Sequence, residues 1–188
     1  MQWKGLKIQI IIFSLLVGIA LIFGVQRLYQ KYSTEGPLNT VLNSNQSVES
    51  YQLSSKGNLL QISIKIRYDA NFMQTYKEVQ KEIAGVMGRK VFSIVLSDSR
   101  DDVLEQVWYQ SQYAVYQALS QGSFQEMADV INREAESRGA EAKIYIDQEN
   151  IYLRLQHQGH TLDEVIPRSA GQVTGNVRAP SSGGGVNA

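Results

Sequence analysis

The feature that most constrains this chain is a run of 19 uncharged residues, IQIIIFSLLVGIALIFGVQ, held between Lys7 and Arg27. At about 1.5 Å per residue a helix of this length spans roughly 28 Å, close to the hydrocarbon thickness of a bilayer. Only Gln9, Ser14 and Gln26 are appreciably polar. A buried core helix would carry one apolar stripe, whereas this segment is apolar on every face. Trp3 and Tyr29 bracket the run where interfacial aromatic residues are expected. A cleaved signal peptide shares the charged start, but the run exceeds a usual apolar region and FGVQRLYQKY contains no small-x-small cleavage site. The expectation is therefore an uncleaved, single-pass signal anchor over residues 8–26, following a short tail at 1–7. Lys4, Lys7 and the amino terminus outweigh Arg27 and Lys31, so the positive-inside rule places the N-terminus in the cytoplasm and the rest outside the cell membrane.

Charge matters next. The chain is formally neutral, yet no acid precedes Glu35, and residues 28–188 carry 15 Lys/Arg against 18 Asp/Glu. No basic patch stands out, so nucleic acid is not an expected partner. Cysteine is absent. That excludes disulfides, a thiol nucleophile, thiolate zinc sites and an acylated lipoprotein cysteine.

Residues 27–50 are rich in Ser, Asn and Thr around a Gly-Pro break and read as a polar stalk. A folded domain is expected over 51–168. Leu60, Ile62, Ile64, Ile66 and Tyr68 alternate with polar residues, the pattern of a strand with one wet face, and Tyr51–Leu53 can pair with it as a hairpin. Asp69 or Asn71 caps a helix bearing Phe72, Tyr76, Val79, Ile83 and Val86, which Gly88 stops. Val91–Leu96 is a β-rich run suited to a central strand. Asp98 or Ser99 caps the next helix, whose core stripe is Leu104, Val107, Trp108, Ser111, Val115, Ala118 and Leu119. Ser123 and Glu126 form a capping-box pattern for another helix, and Gly139 closes it. Lys143–Asp147 and Ile151–Gln156 read as a hairpin, with Leu162–Ile166 as a short edge segment. The order β-α-β-α-α-β-β predicts an α+β fold: a small mixed sheet, split βαβ-like, with its helices on one face. Residues 169–188 contain five glycines and one charge and read as a disordered Gly/Ser-rich tail.

Three places could carry chemistry. Asp98, Asp101 and Asp102 at a strand-to-helix junction could hold a cation, but acids also stabilise a helix start through its dipole. His157 and His160, with Asp163 and Glu164 nearby, could bind a metal, but their turn spacing lacks the helical geometry of zinc sites. Tyr109, Tyr113 and Tyr116 stand at i, i+4 and i+7 beside the core stripe, where they either cover its edge or form a docking face. Gly-rich phosphate loops, G-x-S-x-G, HExxH and Ser-x-x-Lys are all missing.

The expected function is that of a non-enzymatic, membrane-anchored protein. Its extracytoplasmic domain would bind a protein partner or self-associate in an envelope complex, with no cofactor and with the lipid bilayer contacted through residues 8–26. The alternatives are a membrane-bound metal-dependent hydrolase using Asp98, Asp101, His157 and His160, or a ligand-sensing domain.

Overall fold

A computed structural model describes residues 8–30, 36–57 and 59–168. The expected tails at 1–7 and 169–188, and residues 31–35 of the expected stalk, lie outside the described residues. The chain divides into two compact units, Met1–Ser44 and Asn45–Ala188.

In the first unit α1 runs from Ile8 to Gln30. Every described large apolar side chain from Ile12 to Val25 is exposed. Among the described residues no helix is long and apolar enough to cross a membrane, so the transmembrane assignment of 8–26 is not supported there. The expected stalk is also not uniformly irregular. Residues Gly36–Ser44 form α2, with Leu38 and Leu42 buried. Pro37 fits its first turn, where a missing N–H costs nothing.

The second unit holds two small sheets rather than one. In the first, β1 (Val48–Lys56) pairs antiparallel with β2 (Leu59–Ile66), and β2 pairs parallel with β3 (Phe92–Leu96). The crossover is α3 (Phe72–Met87), capped by the Asn71 side chain, which accepts from Gln74 N, and ended by Gly88 at φ 58°. The alternation predicted for β2 buries Ile62, Ile64 and Ile66, while Tyr68 falls beyond the strand and is exposed.

Two helices follow, α4 (Asp102–Gln121) and α5 (Phe124–Ser137), then a meander of β4 (Glu141–Ile146), β5 (Asn150–His157) and β6 (His160–Pro167). Leu104, Val107, Val115 and Ala118 of α4, with Met127, Ile131 and Ala135 of α5, pack on Ile151, Leu153, Leu155 and Leu162. The α4 stripe lies on this face as its periodicity predicts. The other face does not stay wet, because β5 is buried on both sides. Tyr152 meets Phe72 and Tyr76 of α3 edge-on, at ring-centroid distances of 6.4 and 5.9 Å. The expectations of one mixed sheet and of helices on one face are thus both overturned: the sheet is two sheets, and helices cover both faces of the second.

Two caps differ from expectation. Asp101, not Asp98 or Ser99, caps α4 by accepting from Leu104 N at 2.9 Å. Ser123 makes no side-chain cap at α5. The final strand, expected as a short edge segment, pairs with β5 over its full eight residues.

Candidate functional site

The tyrosines come first. The α4 stripe Leu104, Val107, Ser111, Val115 and Ala118 is buried, which turns the opposite side of the helix outward. Tyr109, Tyr113 and Tyr116 are 61%, 67% and 66% exposed. They project from the core rather than roofing its edge. Tyr109 and Tyr113 pair edge-to-face, with centroids 6.5 Å apart.

The acidic helix start and the two histidines meet in space. His157 Nδ1 lies 2.6 Å from Asp101 Oδ2, and His160 Nδ1 lies 2.7 Å from the Ser99 carbonyl oxygen. A carbonyl only accepts, so His160 carries its proton on Nδ1 and turns Nε2 away from this bond. Asp101 serves two masters, since its other oxygen caps α4. Burial works to raise its pKa, but hydrogen bonds from His157 and Leu104 N outweigh burial and hold it below the usual carboxylate value. Asp98 and Ser99 are absent from the cap because β6 uses them: Asp98 Oδ2 accepts from Asp163 N and Ser99 Oγ from Thr161 N, both at 3.2 Å. Backbone joins in through Ser99 N to Thr161 O at 3.1 Å. The junction therefore acts as a latch between the β5–β6 hairpin and the start of α4. Among the described residues no cluster of three or more His, Asp or Glu is arranged to hold a metal ion.

Behind the latch lies a network that no sequence motif announces. Arg154 and Asp163 form a bidentate ion pair, Nε to Oδ1 and Nη2 to Oδ2 both at 2.7 Å, with side chains 1% and 2% exposed. Arg154 Nη1 donates to the carbonyls of Arg67 at 2.8 Å and Ala70 at 3.3 Å, while Gln156 Nε2 donates to that of Tyr68 at 2.9 Å. The guanidinium also sits over the Phe72 ring, 4.9 Å from its centroid. The second sheet thus satisfies the backbone leaving β2 with side chains, where a single mixed sheet would have used a ladder. Burial raises the pKa of Asp163, against the pull of Arg154. Only the hairpin register could have located this network. A two-residue Gln158-Gly159 turn pairs His157 with His160 and, three steps back, Arg154 with Asp163.

A cavity of about 110 Å³ opens between β3 and β6, lined by Ile94, Val95, Leu96, Arg100, Asp163, Glu164 and Val165. Its cation is already engaged, since Arg100 donates to Asp98 at 2.5 Å and to Glu164 at 3.4 Å.

With this geometry in hand, the class of protein is a mixed α+β chain of two small sheets and five described helices. Comparison with protein-family models, with curated proteins and with solved structures finds no match.

Proposed function

We propose that this chain is a single-pass, membrane-anchored, non-enzymatic interaction module. Its α+β domain lies outside the cytoplasm and binds a protein partner or assembles within an envelope complex. The observation that carries this reading is the tyrosine ridge of α4, three large rings about two-thirds exposed on one helix face. Tyrosine offers apolar area with a polar tip, and it is enriched where proteins meet. The anchor is supported by the uncharged run at 8–26 and by the exposed apolar side chains of α1. Each such side chain left in water forgoes about 1.5–3 kcal/mol of burial, which lipid would supply.

Photo-crosslinkers placed at positions 109 and 113 in the host cell test the reading. A discrete protein adduct is expected from both. Silence at both positions in a correctly anchored, abundant protein overturns it.

A second reading rests on Asp101 orienting His157, with His160 held on the neighbouring Ser99 carbonyl: a carboxylate-oriented imidazole is the arrangement of a general base or a metal ligand. Zinc titration calorimetry on the full chain in neutral detergent decides it, and absence of heat removes the metal-dependent version. A sensing role is less well served: the cavity of about 110 Å³ between β3 and β6 is below the roughly 300–1,000 Å³ of small-molecule sites, and a hollow of about 420 Å³ beside Gln46, Val48, Glu49, Arg67, Tyr68 and Asp69 is lined chiefly by polar and charged side chains where such sites are mostly apolar.

A further inference from the structure

We propose that the tyrosine ridge of α4 docks a cationic segment of a partner protein, one bearing Arg or Lys; this deepens the interaction reading above and rests on it. Asp102, Glu105, Tyr109, Tyr113 and Tyr116 follow one another at steps of three or four residues, and all five are exposed. Such steps place them along one continuous line of the helix. The line is acidic at its start and aromatic along its middle, and α4 contains no Lys, Arg or His. The neighbouring α5 extends the imbalance, so residues 102–137 hold six acids against Arg133 alone. None of the described ion pairs engages Asp102 or Glu105.

These facts select the occupant. A guanidinium or ammonium group is attracted to an open aromatic face and to the carboxylates beside it, and Arg stacks on rings while pairing with acids. A second copy docked through the same face would set acids against acids with no cation on α4 to meet them. Nucleic acid and anionic lipid carry the same sign as the ridge and are repelled. A cationic protein segment satisfies both the rings and the charge.

The test uses the full chain in its host membrane, with photo-crosslinkers at 109 and 113 and the linked peptides read by mass spectrometry. Linked segments with more Lys/Arg than Asp/Glu are expected. Glu105→Lys should lower the adduct yield about threefold to tenfold, with Glu105→Gln in between, because a charge at the rim of an interface governs encounter. Circular dichroism of each purified variant checks that the helices are intact. As a direct probe, nona-arginine should bind the full chain in neutral detergent, weaken on raising salt to about 0.5 M, and lose affinity in Glu105→Lys. A linked segment that is acidic or neutral, or a yield that Glu105→Lys leaves unchanged, overturns the cationic partner while the interaction reading stands. Adducts joining α4 to α4 of a second copy overturn it in favour of self-association. Absence of any adduct removes the interaction reading itself.

Discussion

At the scale of single residues, two carboxylates repay comparison. Asp163 is buried against Arg154 with almost no exposure on either side. Removing one partner of such a pair strands the other charge, so Asp163→Asn should cost about 3–5 kcal/mol in urea unfolding, whereas the double change Arg154→Met with Asp163→Leu should recover much of that loss. A double variant as unstable as the single would mean that the backbone carbonyls, not the ion pair, need Arg154. Asp147 works differently. Its Oδ1 accepts from Glu149 N and Asn150 N, and its Oδ2 from Lys77 Nζ at 2.7 Å and the Tyr152 hydroxyl at 3.0 Å. Burial tends to raise its pKa, but Lys77 and the other donors outweigh it and lower the pKa to about 2, while burial, helped by the bond to Asp147, pushes Tyr152 up to about 12. A depressed carboxylate stabilises the fold above its unfolded pKa. This contribution is therefore complete above about pH 4 and fades as pH falls towards 2. Acid unfolding of Asp147→Asn should show a shallower pH dependence in that window than the parent protein.

At the scale of elements, the differences between pattern and outcome are differences of hydrogen-bond accounting. Asp101 caps α4 while Ser123 does not cap α5. Asp101→Ala should thus cost about 1 kcal/mol or more, and Ser123→Ala a few tenths at most, by chemical denaturation. Equal costs would show that the α5 cap forms in solution. The β5–β6 turn is a second test. Gln158 and Gly159 both have positive φ, 47° and 85°, the conformation of a two-residue hairpin that favours Asn-Gly. Gln158→Asn is expected to raise stability by a few tenths of a kcal/mol and Gly159→Val to lower it by about 1–2 kcal/mol, because only the turn's backbone changes. Hairpin register carries further. It sets His157 and His160 beside the start of α4, so a turn variant that loosens the hairpin should also broaden the NMR signals of both histidines.

At the scale of the whole molecule, α3, α4, α5, the first strand pair and the stripe of α4 that faces the second sheet are legible from periodicity and glycine stops, whereas α2 within the expected stalk and the caps of α4 and α5 are not. Ile62, Ile64 and Ile66 alternate as predicted, and the exposed side of α4 follows from its buried stripe. Periodicity is a local property, and these are local consequences of it. The membrane reading also belongs at this scale: carbonate extraction should leave the full chain in the membrane pellet, and a C-terminal reporter that works only outside the cytoplasm should be active. Release by carbonate would withdraw the anchor. The sequence by itself determined most of the segments after residue 50 that become helix or strand, the apolar side of α3 and α4, and where an uncharged run of 19 residues lies. Only the tertiary structure decided that there are two sheets, that β5 is buried on both faces, and that Asp101 meets His157. The reason is physical. A side-chain pattern states how much surface must be buried, but the partner is chosen by backbone groups that need satisfying. At the end of β2 those groups found the guanidinium of Arg154, a residue 84 to 88 positions away in the chain.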